Sequence, residues 1–522
     1  METPSAQAVA TGLASIDYAI IIFYMLGVLA IGTYFGRYVK TAGDLFLAGK
    51  SLPFWAIGMS IVVSDIGATD FLAVGGAAYR YGISAANFDW IGSMPAMVIA
   101  AFLFVPYYWR SGVYTVPEFL GKRYNVVVQM LHAAIWGVFM LVMLGVMLKL
   151  TAAMLNETIG LPTQVGIWMI VVIVGVYTFS GGLTAVVMTD VIQMIVMFVG
   201  GLAMSFLCIW EVGGWGALQE KVIAAGHDKH FTILLENNDP TAPYPWSGIV
   251  FGLGLVLATS YMAGNQAVIQ RCFGARSEWD AKGGMLFGGF LKSFIPLMVA
   301  LPGLSAIVLV PNVSDADLAV PAMIRDVLPP GLTGLMFAAL FAALMSSVDS
   351  YLNSASTIWT TDLYGRFRHM TTGHFPTEQH ALVVGRAFTA AFILSAAFLA
   401  PYINTEGGVY NFIQTCLTMF QGPVFAILLL GIMWKRTTQW GGLAGLVLGV
   451  ACTTVLNNTK GLFPSADPFL YVAWWSFLFS LAVTVLVSLV TPPEPDEKLR
   501  GLIFGQVMKD GKIQRVLLER VK

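Results

Sequence analysis

A row of oxygen-bearing side chains lies near the end of a long apolar stretch, in the segment from Ser346 to Thr357. Residues three and four apart share one face of a helix. Ser346, Asp349 and Ser350 are therefore predicted to lie together, with Ser347 beside them. A carboxylate and several hydroxyls are hard oxygen ligands, which suit a small hard cation and suit lipid poorly. The pattern indicates a cation site inside a membrane.

The composition of the chain requires a membrane around this segment. The 522 residues are 57% hydrophobic and 11% charged, whereas a soluble protein carries roughly 25% charge. The apolar residues form blocks of about 20 residues or more, the length that crosses hydrocarbon. The sequence predicts an all-α polytopic membrane protein with thirteen spans, near residues 15–36, 52–79, 82–109, 125–155, 162–179, 183–211, 245–270, 284–310, 330–361, 383–402, 408–434, 438–456 and 467–490.

The distribution of cations predicts the orientation of the chain. If the N-terminus is outside, 21 of the 28 Lys and Arg residues lie on the inner side or its margins and two lie within spans. The five that remain outside are Arg80, Lys221, Lys229, Arg325 and Lys460. This bias predicts an extracellular segment 1–14, a transmembrane domain 15–490 and a cytoplasmic tail 491–522, in a plasma or inner cell membrane.

Two predicted spans are interrupted by polar residues at mid-depth. The second contains Asp65, Gly67 and Asp70, and the seventh contains Ser-Tyr-Met-Ala-Gly-Asn-Gln at 260–266. Five spans separate their starting points, as expected for two five-helix units of opposite orientation, at about 52–211 and 245–434. Broken first helices in paired inverted repeats are an arrangement of transporters, in which freed backbone groups hold substrate and ion at the midplane.

Several short motifs follow one another in a specific order along residues 15–490. They are Phe-Asp-Trp at 88–90, Tyr-Thr-Val-Pro-Glu-Phe-Leu at 114–120, Gly-Gly-Leu-Thr-Ala-Val at 181–186 with Thr-Asp-Val-Ile-Gln at 189–193, Gln266 through Gln270-Arg271, and 342–347 running on to 353–357. This ordered set resembles the sodium/solute symporter family, and within it the sodium/glucose cotransporter branch. The resemblance implies a ten-helix core with inverted repeats, flanked by extra spans and working by alternating access.

The resemblance also implies which residues bind the coupling ion, Na⁺. A shared sodium site uses backbone carbonyls of the broken helix and small or hydroxyl residues of the ninth span, here Val63, Ile66, Ala343, Ser346 and Ser347. Some members bind a second sodium ion, which implies Asp190, Asp349 and Ser350 as ligands beside Ser346. Relatives usually have a hydroxyl or small residue where Asp349 stands. That departure leaves open the number of ions and the choice between sodium and a proton.

The solute site implied by the resemblance consists of Asp70, Asp89, Tyr261, Lys292 and Gln414, with Tyr261 as an aromatic inner gate. A carboxylate, an ammonium and an amide suit a small solute rich in hydroxyls, so a sugar or polyol is favoured. The acids at 65 and 70, and Asp in place of Glu at 89, keep an amino acid, a carboxylate or a cationic solute as the alternative.

Simpler explanations compete with these functional ones. Asp89 and Lys292 could form an interhelical ion pair, and the hydroxyls of Ser354, Ser356 and Thr357 are expected to bond helix carbonyls. The histidines show no metal-ligand spacing within a span, and Ser346 has no histidine near it, so an enzyme is not expected. A sensor that keeps the transporter fold without coupling is an alternative class. The expected partners are the solute and the lipid bilayer, with no nucleic acid and no obligate protein partner.

Overall fold

The computed structural model describes residues 13–67, 70–237, 244–313, 315–403, 409–459, 461–463 and 468–504. These residues form helices and connecting loops, with two isolated β-bridges and no strand among them. The predicted all-α class is confirmed. Most of the predicted extracellular segment 1–14, the basic tail after residue 504, and Lys460 lie outside the described residues.

The first half of the chain begins with one helix outside the predicted repeats and continues into the first broken span. Its helices are α1 (Ser15–Gly36), α2 (Ala42–Leu47), α3 (Phe54–Asp65), α4 (Gly75–Tyr81), α5 (Met94–Leu103), α6 (Val105–Ser111), α7 (Val116–Arg123), α8 (Val126–Ile159), α9 (Thr163–Val212) and α10 (Trp215–Ala224). π-Helical turns at Asp70–Val74 and Phe88–Ser93 lead into α4 and α5.

The second half repeats the pattern of a broken helix followed by long helices. Its helices are α11 (Thr259–Gly264), α12 (Gln266–Phe273), α13 (Glu278–Lys292), α14 (Ile295–Leu309), α15 (Ala319–Asp326), α16 (Leu332–Ile358), α17 (Gly365–Thr372), α18 (Glu378–Leu399), α19 (Val409–Met433), α20 (Gln439–Asn458), α21 (Phe469–Val490) and α22 (Asp496–Leu499). π-Helical segments at Gly248–Ala258 and Trp359–Tyr364 precede α11 and α17.

The number of spans agrees closely with the sequence prediction. Among the described residues, nine helices are long and apolar enough to cross a membrane, and three bent pairs raise the number to 12. The remaining predicted span, 162–179, corresponds to a shorter apolar helix, Thr163–Val176. The total of thirteen therefore stays a prediction.

Both predicted interruptions are real breaks. The second span bends by 59° between Phe54–Asp65 and Asp70–Ala86, and the seventh bends by 50° at Asn265. A third bend of 42° separates Phe88–Leu103 from Val105–Ser111. Helix ends placed inside the bilayer must be satisfied by protein, because lipid offers no hydrogen bonds.

The helix that carries the oxygen row, α16, runs through the centre of the molecule. It packs against α1, α3, α8 and α9, and nearly all of its residues from Met336 to Ile358 are buried. A helix surrounded by protein on every side has no lipid-facing stripe, so its polar residues can face neighbouring helices. This position brings the oxygen row against the break in α3.

Candidate ion and solute sites

The predicted sodium site lies where α3 ends against the middle of α16. Ile66 leaves the helical conformation, with φ −96° and ψ 89°, while its N–H still donates to Val62. The Ser347 hydroxyl lies 3.1 Å from the Ser64 carbonyl oxygen and 3.0 Å from the Ala343 carbonyl oxygen. The end of one helix and the hydroxyls of another therefore meet in a buried position.

Several of the predicted sodium ligands contact one another or a shared neighbour. Ser346 Oγ lies 3.1 Å from Ser64 Oγ and donates to Asp190 Oδ1 at 2.5 Å. Val63 and Ile66, predicted to act through their carbonyls, are buried at the end of α3. Hydroxyl and carboxylate oxygens converge here, and such oxygens are suitable ligands for a hard monovalent cation.

A buried arginine occupies the centre of the predicted second ion site. The Arg271 side chain on α12 is 1% exposed, and its Nη2 lies 3.3 Å from Asp190 Oδ2. Its Nε donates to Ser60 Oγ at 2.7 Å, and Nη2 also donates to Ser64 Oγ at 2.6 Å and to Ser350 Oγ. A guanidinium thus supplies positive charge beside two of the residues that the sequence assigned to a second ion.

Asp349 lies next to this arginine cluster on α16. The residue is fully buried, and Ser350 Oγ lies 3.2 Å from Asp349 Oδ1 and 2.8 Å from Ser64 Oγ. The cluster as a whole contains two carboxylates, Asp190 and Asp349, and one guanidinium. The role of Asp349 as an ion ligand stays a prediction.

The five predicted solute residues all line one cavity of about 120 Å³, far more than the roughly 10–15 Å³ that a water needs. The lining also contains apolar side chains, among them Met143, Met147, Leu253 and Leu257. The predicted solute residues are Asp70, Asp89, Tyr261, Lys292 and Gln414. A cavity in which polar groups converge among apolar side chains is the usual form of a small-molecule site.

Lys292 connects three elements at one wall of the cavity. Its ammonium contacts the Asp65 carboxylate, lies 3.1 Å from Asp89 Oδ1 and donates to Ser93 Oγ at 3.0 Å. The ion pair between Asp89 and Lys292 is therefore present, and both residues also line the cavity. Asp65, which the sequence left without a role, is part of the same charged group.

A pair of tyrosines connects the cavity to α16. Tyr261 Oη lies 2.9 Å from Tyr351 Oη, and Asn265 Nδ2 donates to Tyr351 at 3.5 Å. Tyr351 lies one helical turn beyond Ser347, so the predicted gate residue contacts the helix that carries the ion site.

The sequence prediction missed several site residues, among them Ser64, Arg271, Tyr351 and Gln421. Arg271 follows the predicted seventh span on its inner side, and the two apolar residues after it, Cys272 and Phe273, are a signal of burial. Gln421 lines the cavity two turns along α19 from Gln414, and this seven-residue spacing on one face is the signal that would identify it.

Comparison with known proteins identifies the class. The model of the sodium:solute symporter family matches residues 45–449, so the chain belongs to the sodium:solute symporter family. It is 32% identical to a sodium/glucose cotransporter of Vibrio parahaemolyticus, across 93% of this chain and 92% of that protein. It is 30% identical to a sodium/myo-inositol cotransporter of Canis lupus familiaris, across 94% of this chain and 76% of that protein.

A solved structure supports the fold independently. A Na⁺-coupled sialic acid symporter in a substrate-bound, outward-open state superposes with a TM-score of 0.80 at 21% identity, covering 92% of this chain and 99% of that one. The family assignment confirms the predicted class of a sodium-coupled membrane symporter with sodium as the coupling ion. The similar proteins are cotransporters and not enzymes.

Proposed function

We propose that this symporter uses sodium to import a sugar or polyol through the cavity between α3, α13 and α19. The observation that carries the proposal is that the ion site and the cavity meet at two adjacent residues at the end of α3. Ser64 contacts Ser346, Ser347 and Asp190 and also lines the cavity, while Asp65 contacts Lys292. Sodium that orders this helix end also orders the cavity wall, which is the coupling that symport requires.

The chemistry of the cavity supports a hydroxylated solute. Carboxylates accept hydrogen bonds and amides both accept and donate them, so Asp89 and Gln414 together match hydroxyls, which donate and accept. Lys292 holds the Asp65 and Asp89 carboxylates in place beside them. The relatives named for glucose and for myo-inositol point to the same solute class.

A single sodium ion per cycle fits the charge of the buried cluster. Asp190 and Asp349 contribute two negative charges and Arg271 contributes one positive charge, so one sodium ion at Ser346 and Ser347 brings the total to zero. Neutral clusters are favoured in a low-dielectric interior, because an uncompensated charge there is costly.

The cycle follows from these positions. Sodium enters between α3 and α16 and stabilises the form that is open to the outside. Solute then occupies the cavity, the outer side closes, and movement of Tyr261 away from Tyr351 opens the inner path. The solute is released with the ion because each stabilises the arrangement of α3 that the other binds.

Uptake into proteoliposomes tests the proposal. The purified protein should accumulate glucose, galactose or myo-inositol above the external concentration when sodium is higher outside. It should not do so when potassium replaces sodium. A sensor that has lost coupling would bind solute without accumulating it, and that result would refute the proposed function.

A further inference from the structure

The solute cavity carries more negative charge than a neutral sugar requires. Three carboxylates line it, from Asp65, Asp70 and Asp89, and Lys292 is the one Lys, Arg or His among its described lining residues. The three carboxylates and one ammonium therefore give the lining residues a net formal charge of −2. Buried carboxylates are costly unless cations or hydrogen-bond donors compensate them.

All three hydrogen-bond donors of Lys292 already have partners within the protein. A lysine ammonium has three N–H donors, and those of Lys292 face Asp65, Asp89 and Ser93. It has no further donor for a solute or for Asp70. Lys292 thus stabilises the wall of the cavity, and other residues must recognise the solute.

Asp70 presents a carboxylate to the cavity from the first turn after the break. One of its oxygens, Oδ2, accepts the Gly67 N–H at 2.9 Å, and the residue lines the cavity. A carboxylate offers about four acceptor positions, so capacity remains for a donor on the solute. A donor that carries positive charge would make the strongest bond there.

Gln421 provides a second, independent sign of a polar ligand. Its side chain is fully buried and lines the cavity, yet neither Oε1 nor Nε2 has a hydrogen-bond partner among the described residues. Buried amide groups without partners are rare in native structures. A solute hydroxyl, which both donates and accepts, would satisfy both atoms.

We infer that the solute is a hydroxylated compound with one protonated amine, of the amino sugar or amino polyol class. The ammonium binds the Asp70 carboxylate, and hydroxyls bind Gln421 and Gln414. This inference rests on the proposed sodium symport and narrows the solute class within it. An ammonium offsets part of the excess negative charge, which a neutral hexose leaves in place.

Binding measurements on the purified full-length protein test the inference separately from transport. Thermal-shift titrations in sodium buffer at neutral pH, where most of the amine is protonated, compare glucosamine with N-acetylglucosamine and glucose. The first carries an ammonium, the second a neutral amide at the same position and the third a hydroxyl. We expect glucosamine to bind about tenfold or more tightly than either neutral compound.

Matched variants test which residues bind the amine and which bind the hydroxyls. Asp70→Asn should remove the preference for glucosamine, and Gln421→Ala should weaken all three ligands by a similar factor. Asp326→Asn, an exposed residue paired with neighbouring Arg325, should change nothing. Retention of the preference in Asp70→Asn, or equal binding of glucose and glucosamine by the wild type, would overturn the inference.

Uptake assays separate this inference from the proposed function. Sodium-driven accumulation of neutral sugars without a preference for the amine would refute the inference and leave symport standing. Tight, Asp70-dependent binding of glucosamine without sodium-driven uptake would support the inference about the cavity and refute symport.

Discussion

The hydroxyls of Ser346 and Ser347 are the side-chain oxygens of the proposed sodium site. Replacing both with alanine removes two ligands and leaves the carbonyls at the end of α3 less completely paired. A hydrogen-bonding group that acts on a charge contributes about 1.5–3 kcal/mol, so we expect the loss of two such groups to lower apparent sodium affinity by roughly 100-fold or more. The measurement is the sodium dependence of initial uptake rates, and concentrative uptake should be lost at ordinary sodium concentrations.

A neighbouring serine on the same helix provides the control. Ser356 Oγ donates to the Asn353 carbonyl at 2.9 Å and is buried, so Ser356→Ala removes a hydroxyl of the same kind outside the ion site. It should leave sodium dependence unchanged. Full sodium dependence in the double variant would refute the assignment of the site.

The charge of Arg271 bears on the number of sodium ions that are bound in each transport cycle. Because its guanidinium already neutralises one of the two buried acids, initial rates should rise with sodium with a Hill coefficient of about 1. Arg271→Lys keeps the charge and should keep that coefficient. Arg271→Gln leaves a buried acid uncompensated and should lower stability by about 3–5 kcal/mol.

One combination of results would contradict the proposal of a single sodium ion. A wild-type coefficient near 2, with a coupled current corresponding to two positive charges per neutral solute, would require a second sodium ion. Asp349 would then be the first residue to replace, with Asp349→Asn and Asp349→Ser as a matched pair.

Individual site residues divide into those that the sequence predicts and those that it does not. The five solute residues, which the family resemblance implied position by position, all line one cavity. Arg271 and Tyr351 were not predicted because their roles depend on which helices meet in space. Arg271 faces Asp190, which lies 81 residues earlier in the chain, and no local pattern relates the two.

The elements themselves follow closely from the sequence. Both predicted breaks occur where polar residues interrupt apolar runs, and the predicted separation of spans 162–179 and 183–211 corresponds to a kink in α9 at Gly182, with φ +53°. A Cβ at Gly182 would lie 2.5 Å from the Leu45 carbonyl oxygen, so close packing and positive φ both require glycine. The bend at 42° in the third span was not predicted.

Asp17 connects the first helix to the helix of the ion site, and this connection yields a stability prediction. Asp17 Oδ1 accepts the N–H groups of Gly331 and Gly334, each at 2.7 Å, at the start of α16. A carboxylate at a helix N-terminus satisfies free N–H groups and interacts favourably with the helix dipole. We expect Asp17→Ala to lower the free energy of unfolding by about 1–3 kcal/mol.

Thermal unfolding of the purified protein in detergent measures this effect. Asp17→Asn keeps an acceptor oxygen without the charge and should lie between wild type and the alanine variant. An alanine variant with the wild-type midpoint would show that the contact contributes nothing to stability. The sequence gives no sign of the pairing, since Asp17 and Gly331 are 314 positions apart.

At the scale of the whole molecule, contacts between loops agree with the predicted membrane topology. Arg80 and Asp315, both predicted outside, form an ion pair at 3.0 Å. Arg110 and Glu278, both predicted inside, form a pair at 2.6 Å. Segments that the sequence assigned to one side thus meet one another, as a consistent set of crossings requires.

The two ion pairs divide the loops into two groups, one on each side of the membrane. The distribution of Lys and Arg predicts which of the two groups faces the cytoplasm. The bias favours an outside N-terminus, because Lys and Arg accumulate in cytoplasmic loops. Cysteines introduced one at a time at Asp228 and His374, both exposed, test this in a background where the four native cysteines are replaced. Asp228 lies in the long loop after α10, and His374 lies between α17 and α18.

A membrane-impermeant maleimide should label the cysteine at 228 in intact cells and the cysteine at 374 only after permeabilisation. Sodium-driven import depends on this orientation, because the ion must enter from the side where it is concentrated and leave with the solute on the other. Labelling in the opposite order would reverse the proposed direction of the cycle. Labelling of both positions in intact cells would contradict the predicted odd number of membrane crossings between them. The short helix Thr163–Val176 precedes both positions and does not affect this number.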